Sequence, residues 1–368
     1  MKQSAPKIVI SGYYGFGNTG DEAILDSIVK TFKTLSPQCK IVVLSQNPAK
    51  TGRDFEVQAI SRKNIPFILA ELFTADLFIS GGGGLIQDVT GFSTISYYLG
   101  LIWLARFVGV RTMIYAQGIG PIITEKGKKL GKKIISRVNC ITVRDNESKQ
   151  VLENLGINSS FIIVTADPVM ALEPCPASRV EEILKKENIY SKNLPLLGVS
   201  VRPWKTEINH SSIIAGALKR FMENIPAQVL LIPFQRSQDY ELCKNIESLL
   251  PSGSARTLEE VYKPDELLGL MSRLDLLAGM RLHSLIFSAI NRTPAVGISY
   301  DPKVKNFLSI IGAPCISLEE LSDERLLEVM LKLWTERDTW KVPAAYFIEL
   351  KQKALENAKI AFDLITRK

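Results

Sequence analysis

Short apolar runs alternate with longer helical stretches along this chain, and that alternation restricts the possible folds more than any other feature. Runs such as Ile41-Val-Val-Leu44 and Val229-Leu-Leu-Ile232 contain no polar alternation, so they indicate strands buried on both faces, as in a parallel sheet. Parallel strands joined by helices predict two doubly wound α/β units. The predicted strands are Lys7–Ser11, Lys40–Ser45, Leu77–Ser80, Arg111–Ala116, Cys140–Val143, Phe161–Val164, Leu196–Val201, Gln228–Pro233, Leu274–Ala278 and Ala295–Ser299.

The length of 368 residues suits two domains of roughly 150 residues each. We predict a first domain over residues 1–170 and a second over 177–335, with a hinge at Asp167–Pro176, which contains three prolines. A terminal segment, 336–368, is expected to form an amphipathic helix from about Ala344 to Thr366 and to pack back on the first domain.

Composition excludes several classes of protein but leaves the partner open. Hydrophobic residues make up 46% of the chain, which is too much for a disordered or collagen-like protein. The 45 Lys and Arg residues outnumber 38 Asp and Glu, giving a net charge of +7. That excess favours an anionic partner, either nucleic acid, a membrane surface, or a small phosphorylated or carboxylated molecule. No nucleic-acid motif accompanies the charge, so nucleic acid is not expected.

Cysteine usage and hydropathy predict a cytoplasmic protein. The five cysteines are scattered without a Cys-x-x-Cys pair and only two histidines occur, so neither a disulfide framework nor a metal site is expected. No apolar signal segment follows the polar start Met1–Lys7. The most apolar stretch, Tyr97–Val110, contains Arg106 and is shorter than the roughly 20 residues of a membrane span, so we predict a core helix there.

Residues that follow the predicted strands differ between the two halves, and open α/β sheets bind ligands at these positions. In the first half they are glycines, amides and carboxylates, and in the second half they are mostly cations. The sequence therefore predicts a neutral, hydroxyl-rich ligand at the first domain and an anion at the second. The segments concerned are Gly12–Asp21, Gln46–Asn47, Gly81–Asp88, Gln117–Gly118, Arg144–Asp145, Asp167, Arg202, Gln235–Arg236, Arg281–His283 and Tyr300–Lys305.

A G-x-G-x-x-G pattern, Gly15–Gly20, follows the first predicted strand and allows three interpretations. The second strand lacks the terminal carboxylate that a dinucleotide ribose needs, and Asp21 and Glu22 would repel a pyrophosphate at the helix start. Both features argue against the first interpretation, a dinucleotide site. The other two interpretations are a tight turn before an acidic helix cap and a loop whose backbone, Asn18 and Asp21 hold sugar hydroxyls.

Two further features of the first half each allow a structural and a functional interpretation. The four glycines Gly81–Gly84 permit close approach either of a ligand or of another backbone, and Gln87 and Asp88 follow on the next turn. The basic run Lys126–Arg137 is either a solvated helix face or a contact for anionic lipid or a lipid-linked phosphate.

His283 is the main candidate for chemistry. It precedes a predicted helix, Ser284–Asn291, whose positive dipole end suits an anion. A lone histidine is often structural, but Arg202, Arg236 and Lys303 or Lys305 also follow strands of the same half. Guanidinium groups match carboxylate and phosphate geometry, so these cations strengthen the interpretation as an anion site. Histidine also exchanges protons near neutral pH, which suits a proton shuttle.

Missing motifs narrow the ligand. The chain has no Asp-x-Asp, no Walker Gly-x₄-Gly-Lys-Ser/Thr and no Gly-x-Ser-x-Gly. No carboxylate occurs over residues 283–294, where a two-domain glycosyltransferase would hold a nucleotide ribose. We therefore expect a small, strongly anionic donor without a nucleoside.

Taken together, the motifs resemble those of the polysaccharide pyruvyltransferases, and the resemblance spans nearly the whole chain. It is greatest for the bacterial enzymes that pyruvylate a secondary cell-wall polymer for S-layer anchoring. It implies a GT-B-like fold of two Rossmann-type domains facing a cleft, with phosphoenolpyruvate as donor and no further cofactor. The implied product is a 4,6-linked pyruvate ketal on a terminal N-acetylmannosamine, carried by a lipid-diphosphate-linked disaccharide at the inner membrane face. The matching motifs are Gly12–Asp21, Ser80–Gly84, Gln117–Pro121, Val143–Asp145 and Arg281–Ser284.

The resemblance also implies site residues. The family's catalytic positions correspond to Arg144, His283 and Lys303, with Lys305 as the alternative lysine. The donor-binding residues we predict are Arg202, Arg281, Arg236, Ser284 and Lys305. The acceptor-binding residues we predict are Gly17, Asn18, Asp21, Gly82, Gly83, Gln87, Asp88 and Gln117, with Asp21 or Asp88 as the base for the acceptor hydroxyl. Two other functions stay open, a GT-B nucleotide-sugar glycosyltransferase and a non-catalytic sensor of phosphorylated metabolites.

Overall fold

A computed structural model describes residues 5–89, 91–189, 194–204, 210–340 and 344–366. Its internal contacts divide the chain into two compact units. The first unit comprises Met1–Phe16, Asp21–Leu172 and Ile348–Lys368. The second comprises Gly17–Gly20 and Glu173–Phe347, so the short Gly17–Gly20 segment groups with the later part of the chain.

The first unit is built on a seven-stranded parallel sheet. Its strands are β1 (Lys7–Ser11), β2 (Lys40–Ser45), β3 (Gln58–Ser61), β4 (Leu77–Ser80), β5 (Arg111–Gln117), β6 (Cys140–Val143) and β7 (Ile162–Val164). They lie in the order β3-β2-β1-β4-β5-β6-β7. Successive strands are added on one side of β1 up to β3 and on its other side from β4 onward. The switch point therefore lies between β1 and β4, which are parallel and where Ser11 pairs with Ser80. In open α/β sheets this switch point is where ligands bind.

Helices cover both faces of that sheet. They are α1 (Thr19–Leu35), α2 (Pro48–Phe55), α3 (Ile65–Leu72), α4 (Phe92–Phe107), α5 (Glu125–Ile135), α6 (Asn146–Asn154) and, from Ile348 on, α14 (Ala344–Thr366). One hydrophobic cluster joins the buried sides of α3, α4, α5 and α6 to the strands, including Ile68, Leu99 and Ile134. A separate aromatic contact joins α1 to α14, where the rings of Phe32 and Phe362 lie 5.5 Å apart.

The second unit repeats this architecture with six strands. They are β8 (Leu196–Ser200), β9 (Gln228–Leu231), β10 (Ala255–Thr257), β11 (Leu276–Gly279), β12 (Ala295–Ser299) and β13 (Cys315–Ser317), all parallel, in the order β10-β9-β8-β11-β12-β13. The helices are α7 (Ala177–Lys186), α8 (His210–Asn224), α9 (Arg236–Leu249), α10 (Pro264–Met271), α11 (Leu282–Ile290), α12 (Pro302–Ile311) and α13 (Asp323–Glu336). The switch point lies between β8 and β11, where Ser200 pairs with Gly279.

The predicted fold class, two parallel α/β sheets, is confirmed, and each of the ten predicted strands has a counterpart. Helix α11 begins at Leu282 rather than Ser284, which puts His283 inside the first helical turn. His210 is buried at the start of α8, and this burial lowers its pKa. Within the described parts of the chain, none of the helices combines the length and apolar character needed to cross a bilayer.

Candidate functional site

The switch point of the first unit holds a buried polar cluster around Tyr14. Two glycines make room for the Tyr14 ring, because a Cβ at Gly12 or Gly81 would lie 2.3 Å from its atoms. Burial, and then the negative charges of Asp21 and Glu22, raise the pKa of Tyr14 well above its ordinary value. The tyrosine is therefore a neutral hydroxyl next to the end of β1.

Gln117 completes this cluster. Its amide nitrogen donates to Ser80 Oγ and to the Gly81 carbonyl, both at 2.7 Å. Its Oε1 atom, together with Tyr14 OH and Ser11 Oγ, is buried without a hydrogen-bond partner among the residues that the structure describes. Buried polar atoms are normally satisfied, so this cluster has the capacity to bind polar groups of a ligand or ordered water.

Asp21 and Glu22 form the acidic first turn of α1, above this cluster. The Glu22 carboxylate accepts a 2.8 Å hydrogen bond from the backbone N–H of Gly15, which holds the loop after β1. A Cβ on Gly83 would lie 2.9 Å from Asp21 Oδ1, and Gly83 has φ of +90°, so this position requires glycine. Asp21 and Gly83, both predicted acceptor residues, are thus brought together in the first unit.

Arg144, which follows β6, is a fixed and nearly buried cation. Its Nη1 donates to Asp167 Oδ2 at 2.8 Å and its Nε lies 3.4 Å from Asp145 Oδ2, with 7% of the side chain exposed. Burial opposes the charged form, but the two carboxylates raise the pKa of Arg144 above its ordinary value. A Cβ on Gly118 would lie 2.8 Å from the guanidinium, so the absence of a side chain at the glycine after β5 leaves room for Arg144.

Two other predicted acceptor residues make structural contacts. The Asp88 carboxylate accepts hydrogen bonds from the Ile123 and Thr124 amides, at 2.6 and 2.9 Å, and from the Thr124 hydroxyl at 2.6 Å, so it fixes the start of α5. A Cβ on Gly82 would lie 2.9 Å from Ile24, which makes Gly82 a packing glycine. Gln87 is partly buried beside them. These contacts explain the presence of Asp88 and Gly82 by local structure, without a bound acceptor sugar.

Gly17 and Asn18, predicted to serve a ligand of the first domain, group with the second unit instead. Asn18 forms an antiparallel bridge with Gln235, and the Thr19 amide donates to the Phe234 carbonyl at 2.8 Å. Asn18 Oδ1 accepts from the Gly20 amide at 3.0 Å. The sequence pattern located this loop correctly after β1 but could not show which unit it packs with.

His283 lies against the glycine that ends this loop. A Cβ on Gly20 would lie 2.2 Å from His283 Nδ1 and 2.6 Å from Cγ, so only glycine at position 20 leaves room for the imidazole. His283 is the second residue of α11. The positive end of the helix dipole at this turn suits an anionic ligand beside the imidazole.

Arg281, the N-cap residue of α11, is held by a buried carboxylate from α9. Arg281 Nε donates to Asp239 Oδ2 at 3.0 Å and Nη2 to Asp239 Oδ1 at 2.5 Å, while Asp239 also accepts from the Gln235 amide at 2.8 Å. Burial raises the pKa of Asp239, although Arg281 opposes that shift. Sequence reasoning predicted the arginine but missed Asp239, because no local pattern links two residues that are 42 positions apart.

Arg202, which follows β8, lies among aromatic rings at the same switch point. Its guanidinium carbon is 4.6 Å from the centre of the Tyr300 ring and 5.4 Å from that of Trp204, and Nη1 donates to Tyr300 OH at 3.0 Å. Arg202 Nε and Ser200 Oγ are buried without a hydrogen-bond partner in the described part of the chain. Arg202 therefore retains a buried donor that an anion would satisfy.

The other predicted donor-binding residues are either exposed to solvent or engaged in contacts within the protein. Arg236 stacks on Tyr240, with its guanidinium carbon 3.9 Å from the ring centre, and is partly exposed. The Ser284 hydroxyl donates to the Arg281 carbonyl at 2.6 Å and is fully buried, so it stabilises the turn of α11. In the first turn of α12, Lys303 is partly buried and Lys305 is exposed.

Comparison with known proteins shows similarity over most of this chain. Residues 18–302 match the family model described as "Polysaccharide pyruvyl transferase". The amylovoran biosynthesis protein AmsJ of Erwinia amylovora is 20% identical, over 84% of this chain and 86% of that protein.

Solved structures at lower identity share the fold. The UDP-GlcNAc 2-epimerase of Methanocaldococcus jannaschii has a TM-score of 0.67 at 11% identity, covering 98% of this chain and 99% of that one. The UDP-GlcNAc 2-epimerase of Neisseria meningitidis has a TM-score of 0.66 at 12% identity, covering 98% and 100%. Anabaena HepE, solved with UDP-glucose, has a TM-score of 0.61 at 12% identity, covering 98% and 96%. These likenesses confirm the predicted GT-B-like fold.

Proposed function

Because the chain belongs to the polysaccharide pyruvyl transferase family, we propose that it transfers the pyruvyl group of phosphoenolpyruvate to a terminal sugar of a polysaccharide precursor. The proposed acceptor is the β-D-N-acetylmannosamine of a lipid-diphosphate-linked disaccharide, and the proposed product is its 4,6-pyruvate ketal, destined for a secondary cell-wall polymer that anchors an S-layer. Similarity to AmsJ, an amylovoran biosynthesis protein, supports a role in polysaccharide biosynthesis.

One observation carries the choice of donor: the switch point of the second unit holds two fixed arginines, one of which keeps a buried donor without a partner among the described residues. Arg281 is clamped by Asp239, and Arg202 has a buried Nε without a partner among the described residues. Phosphoenolpyruvate carries a carboxylate and a phosphate, so it offers acceptor oxygens at two ends of a small molecule. Guanidinium groups pair with both kinds of oxygen.

The reaction proceeds by addition and then elimination. One sugar hydroxyl oxygen bonds to C2 of the enol while C3 gains a proton and becomes a methyl group, which gives a ketal phosphate. The C2–O bond to phosphate then breaks, and the second hydroxyl oxygen bonds to C2 and closes the ring. The two hydroxyl protons are accounted for by the new methyl group and by the released hydrogen phosphate.

Residues of each unit have proposed roles in these steps. His283 delivers the proton to C3, and Arg202, Arg281 and Lys303 bind the carboxylate and phosphate of the donor. Asp21 of the first unit serves as the base for the acceptor hydroxyl, and Arg144 as a further cation for the donor. Arg236 and Lys305 extend the positive potential around the donor. No step needs a metal or an added cofactor.

The test is the His283→Ala variant, assayed for phosphate release with phosphoenolpyruvate and the lipid-linked disaccharide. We expect turnover to fall by about 10² to 10⁴, the usual contribution of a general acid or base, while donor binding measured by calorimetry is retained. Lys303→Ala and Lys305→Ala form a matched pair, in which the Lys303 variant should lose more donor affinity than the Lys305 variant. Unchanged turnover in His283→Ala would reject the proposed role of the histidine.

Thermal shift distinguishes the alternative functions, since a bound ligand stabilises the folded state. Stabilisation by phosphoenolpyruvate and not by a nucleoside diphosphate supports the proposal. The reverse pattern would identify a nucleotide-sugar glycosyltransferase. Saturable phosphoenolpyruvate binding with no phosphate release in the presence of acceptor would identify a sensor.

A further inference from the structure

We propose that the outer surface of α3, α4 and α5 in the first unit docks on an anionic lipid bilayer. This aromatic–lysine face consists of the exposed aromatic residues of α3 and α4 and the exposed lysines of α5. The inference goes beyond the proposed reaction and uses none of the residues assigned to it. It follows from the placement, exposure and charge of these side chains.

The three helices form one layer on one side of the sheet. A single hydrophobic cluster contains the inward residues of all three, such as Leu72 of α3, Leu99 of α4 and Ile134 of α5. Helix α4 packs beside both α3 and α5. The side chains that point away from this cluster therefore belong to one continuous outer surface of the unit.

Large aromatic side chains project from the α3 and α4 part of that surface. Phe67 is 60% exposed and Phe73, at the end of α3, is 70% exposed. Trp103 and Phe107, one turn apart on α4, are 54% and 74% exposed, and their rings stack at 5.4 Å. Exposed apolar clusters of this kind mark interaction sites, and aromatic rings favour the boundary between lipid headgroups and acyl chains.

The α5 part of the surface supplies positive charge. Lys126, Lys128, Lys129, Lys132 and Lys133 are all exposed. Only Lys128 forms an ion pair within the described part of the chain, with Glu125 at 2.8 Å. Residues 62–137 contain ten Lys and Arg against four Asp and Glu, so this region holds most of the net charge of +7.

Charge complementarity selects the bilayer over a second copy of the chain. In a symmetric dimer the same patch meets itself, which would bring uncompensated lysines of both copies together. An anionic bilayer offers negative headgroups for lysines and an apolar boundary for aromatic rings. Since no described helix spans a bilayer, the contact we infer is peripheral.

The experiment is co-sedimentation of the full-length protein with large vesicles of phosphatidylcholine, with and without phosphatidylglycerol. We expect binding only to the anionic vesicles, and weaker binding as salt is raised. The Lys129→Gln/Lys133→Gln variant should bind about 25-fold more weakly, since each lysine near an anionic surface contributes about fivefold. Trp103→Ser/Phe107→Ser should lose at least tenfold.

Matched controls keep the result specific. Lys219→Gln/Lys359→Gln removes two exposed lysines elsewhere, and Leu35→Ser removes an exposed apolar residue of α1. Both controls should bind like the unaltered protein, and circular dichroism melting establishes that each variant is folded. Equal loss in test and control variants, or no binding of the unaltered protein, would overturn the proposal. A change in oligomeric state in Trp103→Ser/Phe107→Ser, with vesicle binding unchanged, would also overturn it.

Discussion

Two arginines of the candidate site, Arg144 and Arg281, are each fixed by a buried carboxylate. Arg144 pairs with Asp167 at 2.8 Å, and Arg281 pairs with Asp239, whose side chain is fully buried. Burying such a pair does little for stability by itself, but removing one partner leaves an uncompensated charge. The carboxylates therefore hold each guanidinium in one orientation.

For the Asp239→Asn variant we predict a loss of stability of about 3–5 kcal/mol, as expected when one partner of a buried pair is removed. Affinity for phosphoenolpyruvate should also fall, because Arg281 loses its orientation. The double variant Asp239→Asn/Arg281→Met separates the two effects. Urea unfolding should show recovered stability in the double variant, while calorimetry should still show weak donor binding. Recovered donor binding would contradict a role for Arg281 at the donor.

At this scale the sequence predicted the cations and missed what surrounds them. Arg202 and Arg281 could be found because they lie shortly after the ends of predicted strands, where ligands bind in open α/β sheets. The aromatic rings around Arg202 and the carboxylate of Asp239 come from other elements and leave no local pattern. Ser284 was assigned to the donor from its position at a helix start, but its hydroxyl bonds to the Arg281 carbonyl.

Among the secondary structure elements, the strands that the sequence failed to predict are β3, β10 and β13, and each lies at the edge of its sheet. An interior strand is buried on both faces and has a continuous apolar run. Gln58–Ser61 and Ala255–Thr257 instead contain polar residues such as Gln58 and Arg256. Edge pairing is decided by the neighbouring strand, so these elements could not be recognised from their own residues.

Helix α5 begins where Asp88 holds it, and this gives a pH-dependent prediction. Burial disfavours the ionised form, yet hydrogen bonds from Ile123 and Thr124 lower the pKa of Asp88 below its ordinary value of 3.8. Because the folded-state pKa is lowered, the stabilisation from Asp88 is complete above pH 3.8 and is lost as the pH falls through the lowered value.

We therefore expect Asp88→Asn to destabilise the protein by about 1.5–3 kcal/mol near neutral pH, the range for hydrogen bonds to a charged group. The difference from the unaltered protein should shrink as urea unfolding is repeated below pH 4. Glu147→Gln, an exposed carboxylate in the first turn of α6, is the control and should change little. A destabilisation of Asp88→Asn that is the same at all pH values would show that the charge is not responsible.

In the whole molecule, the first unit is assembled from both ends of the chain. The polypeptide leaves it after Leu172 and returns at Ile348 in α14. Arg111, at the start of β5, donates to the carbonyls of Leu364 and Ile365 at 2.7 and 2.9 Å. The end of the chain is thus hydrogen-bonded to a central strand, and its contribution to the unit should be cooperative.

Asn357 tests that cooperativity, because it is fully buried in α14 and its Oδ1 accepts a 3.0 Å hydrogen bond from the Thr165 hydroxyl beyond β7. Asn357→Ala leaves a buried hydroxyl with one partner fewer and should cost about 1–3 kcal/mol. Hydrogen exchange should quicken in β5 and β7 as well as in α14, and stay unchanged in β8 and β11, since the first unit unfolds as one cooperative body. Lys359→Ala, an exposed position of the same helix, should leave all these rates unaltered. Faster exchange confined to α14 would mean that the helix detaches alone and that the sheet is complete without it.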